Sequence, residues 1–271
     1  MPALTASEPL IRLGAFLGVL LAMAAWELMA PRRALLHFRL LRWTGNLGVV
    51  VVSTLLVRLV FPAAAVGMAA VAQARGWGLL NQLGWPGWIE LAVAVVALDF
   101  AIYTQHVLFH AVPAFWRLHR MHHADLDFDV TTGVRFHPLE ILLSMAIKIG
   151  VVAALGPAPA AVVVFEILLN ATSMFNHGNV RMPAALDRAL RWIVVTPEMH
   201  RVHHSIRRDE TNSNFGFNLP WWDRLFGTYR AQPTQGHQGM TIGLTPYQSE
   251  APTRFGWSLW LPFWRQQRPN D

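Results

Sequence analysis

The chain has 271 residues, of which 54% are hydrophobic and only 14% charged, with a formal net charge of +6. A soluble domain has about 25% charged residues, so this is the composition of a membrane protein, and the twelve Trp suit interfacial anchoring. The lack of cysteine excludes structural disulfides, cysteine-ligated iron–sulfur clusters and thiolate-ligated haem. With no nucleic-acid motif, the positive charge reads as arginine gathered on the cytoplasmic side of a membrane.

The first apolar run, LIRLGAFLGVLLAMAAWELMA at 10–30, has the length of about 20 residues that a bilayer demands. Arg32, Arg33, Arg39 and Arg42 follow it, whereas a signal peptide carries its charge in front, so a retained helix is expected. A second run covers 46–73, interrupted by Arg58 and Pro62, and a third covers 88–112. Runs at 139–155 and 160–175 flank GPAP (156–159) and predict a membrane hairpin. Placing the arginine-rich connections in the cytoplasm gives five crossings with the N-terminus outside.

The expected fold is therefore mostly α, a polytopic transmembrane helical bundle with a cytoplasmic helical cap. Its parts are N-terminal transmembrane helices over 1–94, a histidine-box domain over 95–230 that includes the hairpin 139–175, and a cytoplasmic tail over 231–271. Lys148, the sole lysine, and Glu166 stand at similar distances on either side of GPAP, which predicts an ion pair within the hairpin. The tail segment RFGWSLWLPFWRQQR (254–268) is expected either to lie in the membrane interface or to pack on the cap.

Four places concentrate histidine: HVLFH (106–110), HRMHH (119–123), FNHGN (175–179) and HRVHH (200–204). On a helix, positions i, i+3 and i+4 share a face. His106 and His110 therefore point one way, as do His119, His122 and His123, and likewise His200, His203 and His204. A lone histidine is usually a satisfied core residue. Clusters of neutral imidazole at one end of a membrane bundle are metal ligands. Together with His177 they number nine, more than the four ligands or so of a zinc site and enough for two ions. Imidazole serves iron, zinc, copper and nickel alike, so the ligands alone do not select the metal.

No H-E-x-x-H, E-x-x-H or G-x-G-x-x-G is present, which argues against a zincin, a carboxylate-bridged bundle site and an internal nicotinamide or flavin site. Carboxylates near the boxes are candidates to orient the imidazoles. Asp99 and Tyr103 lie on the His106 stripe, and Asp99 is expected to meet a histidine of the first box or a substrate channel. Asp125, Asp129, Glu198 and Asp223 are further candidates, with solvated surface charge the plainer expectation for Asp125 and Glu198. His37 and His237 carry no special expectation.

The ordered set LDFAIYTQHVLFH (98–110), LHRMHHADLDFDVTTGVRFHPLE (118–140), FNHGN (175–179) and TPEMHRVHHSIRRDETNSNFGFNLPWWDRLFGTY (196–229) resembles the fatty acid hydroxylase / sterol desaturase superfamily of integral-membrane di-iron oxygenases. The resemblance implies His106, His110, His119, His122, His123, His177, His200, His203 and His204 as ligands of two iron ions, with zinc as a substitute in a purified protein. It further implies a metal site on the cytoplasmic side, dioxygen as co-substrate, and hydroxylation or desaturation of a lipid C–H bond. An external ferredoxin, cytochrome or reductase would supply electrons; no nucleic acid is involved.

Two positions depart from the pattern. Val107 stands where many members have Arg, and neither Ser173 nor Arg181 supplies the histidine that some members pair with His177. His137 is left as an extra ligand or, preferably, an outer partner. A bis-histidine haem protein and a non-catalytic metal-binding protein are the alternative readings.

Overall fold

The computed structural model describes residues 2–264. In chain order the helices are α1 (Pro2–Met29), α2 (Arg39–Val60), α3 (Ala64–Arg75), α4 (Leu80–Leu83), α5 (Gly87–Ala111), α6 (Pro113–His123) and α7 (Pro138–Leu155). They continue with α8 (Pro159–Asn176), α9 (Ala184–Leu190), α10 (Pro197–His203), α11 (Arg208–Thr211), α12 (Trp221–Leu225), α13 (Gly236–Gly239) and α14 (Phe255–Trp260). Among the described residues β-pairing is confined to two isolated bridges, Pro31–Val180 and Ser205–Ile242.

Five segments are long and apolar enough to cross a membrane: Glu8–Met29, Arg39–Leu83, Gly87–Ala111, Pro138–Leu155 and Pro159–Asn176. The second, which the sequence presents as one run over 46–73, is broken into α2, α3 and the short α4. Pro62 can neither donate to the helix nor tolerate a helical residue before it, so α2 stops at Val60, and Ala64 turns the chain at φ +46°.

The hairpin forms as its punctuation dictates. Pro138 opens α7, the His137 ring accepts the Leu139 N–H at 3.2 Å as N-cap, and Gly156 closes it at φ +66°. At that turn Gly156 lies against Gly78, so closely that a Cβ on either would overlap the other's backbone. Lys148 Nζ meets Glu166 Oε1 at 2.7 Å as expected, and Arg12 Nη2 meets Glu166 Oε2 at 2.5 Å, so the carboxylate within the bundle is compensated from two helices.

Direction follows from these contacts. Glu90, at the start of α5, accepts the Ala158 N–H at 2.7 Å beside the Gly156 turn, so the C-terminal end of α5 lies at the far end of the bundle, where His177 ends α8. α1 packs on α8, α2 and α3 on α7, and α5 on both hairpin helices. Between them runs an apolar column of Ala65, Ala69, Leu98, Ile102, Val152, Val162, Phe165 and Phe217.

Over the histidine-bearing end sits a polar, tightly tied cap. Arg42 is not a loop residue on the surface but a fully buried member of α2. It binds Asp125 (2.9 and 2.7 Å) and Asp129 (2.5 Å). Asp125 and Glu198 are likewise buried rather than solvated. The tail docks through α14 on α2 and through the turn Leu261–Phe263 on α6, with Arg120 Nη2 donating to Trp264 O at 2.7 Å. Its outer side keeps Trp260 63% exposed. Arg265 and Arg268 lie outside the described residues.

Candidate metal centre

Four short pieces of chain bring the histidines together. His106 and His110 sit one turn apart near the end of α5. Pro113 starts α6, whose C-terminal half carries His119, His122 and His123. His177 is the C-cap of α8. Pro197 starts α10 beneath a Thr196 side-chain cap on Met199 N (3.3 Å), and His200, His203 and His204 follow.

All nine expected ligands converge, in two groups. His106, His110, His119, His123 and His203 form one, and His122, His177, His200 and His204 the other, with the ligand atoms of each group within 4.8 Å of one another. The two His-Arg-x-His-His phrases interlock across these groups. His119 and His123 join the first group and His122 the second, while His203 joins the first and His200 and His204 the second. Between the two phrases, His123 and His203 of the first group have ring centroids 4.6 Å apart, and His122 and His204 of the second 4.7 Å.

The outer nitrogens are held mostly by backbone. The Nδ1–H of His106 is directed at Phe215 O (2.7 Å), of His122 at Arg135 O (3.2 Å), of His177 at Ser173 O (2.7 Å) and of His203 at Ser213 O (2.7 Å). A carbonyl only accepts, so these contacts fix the tautomer and leave each Nε2 as a bare lone pair. Yet His122 Nε2 and His177 Nε2 lie 3.1 Å apart. Two lone pairs at that distance repel unless a cation lies between or beside them.

Protonation is not the remedy. Burial pushes the His177 imidazole down to about 3, and burial followed by the neighbouring imidazoles holds His122 well below its ordinary value. Likewise His200 and His204 are fully buried with both ring nitrogens unpartnered. The donor set therefore fits bound metal.

The outer carboxylate is Glu140, a residue the box-by-box reading passed over. Its Oε1 accepts the His119 Nδ1–H at 2.7 Å, with both groups buried. The sequence signal was a glutamate in the first turn of an apolar helix, which reads equally well as an ordinary N-terminal charge.

The residues that had been expected in this role serve others. Asp99 touches no histidine; it accepts from Asn218 N (3.3 Å), Leu219 N (3.2 Å) and Trp222 Nε1 (2.8 Å). Tyr103 bonds Thr228 at 3.0 Å. Asp125 and Asp129 bind Arg42, and Glu198 binds Arg32 and Arg201. Asp223 acts at one remove: it accepts from Phe215 N (2.8 Å) and Gly216 N (2.9 Å), fixing the peptide whose carbonyl holds His106. His137 spends Nδ1 on Leu139 N and Nε2 on Leu259 O (3.1 Å), so it holds a loop rather than joining either group.

The profile of the fatty acid hydroxylase family matches residues 91–228, a stretch that contains all nine histidines of the two groups. Among curated proteins, an ornithine lipid hydroxylase of Rhizobium tropici is 33% identical over 162 residues, 59% of this chain and 47% of that protein. Alkylglycerol monooxygenase of Homo sapiens is 25% identical over 191 residues, 68% of this chain and 41% of that protein. Cholesterol 25-hydroxylase of Rattus norvegicus is 24% identical over 147 residues, 53% of this chain and 48% of that protein. The chain thus spans about half the length of these relatives. No solved structure matches it.

Proposed function

Because the chain belongs to the fatty acid hydroxylase family, we propose that its two histidine groups hold a pair of iron ions on the cytoplasmic side of a membrane, and that it hydroxylates a lipid chain with dioxygen. Desaturation can follow from the same hydrogen abstraction. The observation that carries this reading is the His122–His177 contact, where two carbonyl-fixed imidazoles present lone pairs to each other at 3.1 Å. Activation of dioxygen toward an unactivated C–H bond is the chemistry such a metal pair supplies when bound.

The chain's own residues do the rest. The imidazoles stay neutral and fixed, Glu140 strengthens donation by His119, and the apolar column keeps water from the approach. The cytoplasmic placement is supported by the arginine-rich connections at the histidine-bearing end. No nucleotide-binding motif is present, so the electrons come from a separate ferredoxin, cytochrome or reductase. The relatives' names, which cover ornithine lipids, alkylglycerols and cholesterol, support a membrane lipid as substrate class.

The test compares lipid extracts of cells with and without the protein under isotopically labelled dioxygen. A labelled hydroxyl on a lipid, lost together with bound metal in both His122→Ala and His204→Ala, is expected. No oxygen-dependent lipid change with any donor system would overturn the proposal.

A further inference from the structure

The apolar column ends, at the histidines, on two phenylalanines. The ring of Phe217 lies 5.1 Å from His106 and 5.8 Å from His200, one histidine from each group. Phe136 stacks on His122 at 4.4 Å and lies 6.2 Å from His119, again one from each group. The two rings are 6.3 Å apart, and both belong to the column that descends through Ile102, Phe165 and Val152 toward the Gly156 turn. They form an aromatic floor between the apolar interior of the bundle and both metal groups.

Phe217 is not on a loose loop. Its segment is tied to α5 by Asp99, which accepts the Asn218 and Leu219 N–H groups. It is tied to α8 by Asn176, which donates to Phe217 O at 2.9 Å, and by Thr172, which donates to the Asn218 side chain. A carboxylate inside an apolar helix is costly unless it satisfies donors that water cannot reach. Here it fixes the height of one ring. Phe136, by contrast, is only partly buried, as are Met145, Ile149 and Leu169, which pack on the flank of the column and give it an apolar outer side.

Resting on the proposed lipid oxidation, the geometry points to Phe217 and Phe136 as the residues that decide which carbon of the chain is oxidised. A lipid chain entering along the column reaches the histidines only by passing or displacing these rings, and the space they leave sets how far it travels. Asp99 is a positioning residue for Phe217.

The test uses the full-length protein in nanodiscs, loaded with zinc so that no turnover occurs. It is irradiated with fatty acids carrying a diazirine at successive chain positions, and labelled peptides are mapped. Label on the Phe136 and Phe217 peptides is expected. Phe217→Ala should carry it onward to the histidine-bearing peptides, and Phe217→Trp should hold it lower in the column.

In the iron-loaded enzyme the product hydroxyl should move along the chain by at least one carbon in Phe217→Ala. It should stay in place in Phe226→Ala, whose ring lies outside the floor. Where Phe217→Ala does not retain metal, Phe217→Leu takes its place. Label confined to other surfaces, or label and hydroxyl unmoved in both Phe217 variants, overturns the inference. A floor that labels as expected in a protein that oxidises no lipid counts instead against the proposed function.

Discussion

Among the described residues Glu140 is the one carboxylate that touches an imidazole of the centre, and it touches the first group only. A carboxylate that accepts an imidazole N–H fixes the ring and raises its basicity, and losing it typically costs about 10–100-fold in metal affinity. Glu140→Ala is therefore expected to weaken the first group selectively. Chelator titration followed by metal analysis should show one ion released early and the other retained. Parallel loss of both, or unchanged affinity, would remove Glu140 from this role. At this scale the sequence was legible for which histidines come together and poorly legible for what holds them. Of the nine histidines, eight announced themselves by helical spacing and His177 by the FNHGN motif. Four of them are held by backbone carbonyls, which carry no residue signature, and the neighbouring aspartates that looked suitable are committed to arginine or to peptide N–H groups.

Among the elements, the runs read at 88–112, 139–155 and 160–175 became Gly87–Ala111, Pro138–Leu155 and Pro159–Asn176, because apolar length and Pro or Gly punctuation are local properties. The link between α2 and the second histidine box was not local. Arg42 was counted as a loop charge, yet Asp125 and Asp129, its partners, lie far along the chain. Against the cost of burial, the guanidiniums of Arg42 and Arg135 hold the Asp125 carboxyl well below the usual range, so it is ionised in place. Removing Arg42 strands two buried carboxylates, and breaking such a pair costs about 3–5 kcal/mol. Arg42→Ala should lower the melting temperature in detergent markedly, and Arg42→Lys should not restore it, since a point charge cannot reproduce the forked contact with Asp125. A variant that melts like the wild type would show that α2 is not anchored through this residue.

For the whole molecule, the centre makes stability depend on pH and on metal together. An unfolded imidazole titrates near 6.5. In the folded chain burial holds His119 and His177 at about 3. His122, His123, His200, His203 and His204 are held well below the ordinary value by burial and then by neighbouring imidazoles, His177 and His106 among them. Between these values the unfolded chain binds more protons than the folded one, so stability rises with pH across the window. The contribution is complete above about 6.5 and drains away as pH falls toward about 3, with a slope of up to about 1.4 kcal/mol per pH unit for each imidazole. Metal-free protein should therefore lose denaturation midpoint steeply between about pH 7 and about pH 5. Metal bound only to the folded state adds stability by mass action, so the loaded protein should hold a flatter profile and then fail at lower pH. That failure should coincide with release of metal, because protons and metal compete for the same lone pairs. Chemical denaturation of both forms across this range, with metal followed in parallel, checks the argument. A metal-free protein equally stable at both ends would mean that the imidazoles are not buried as neutral, unpaired donors, and the case for two bound ions would lose its physical basis.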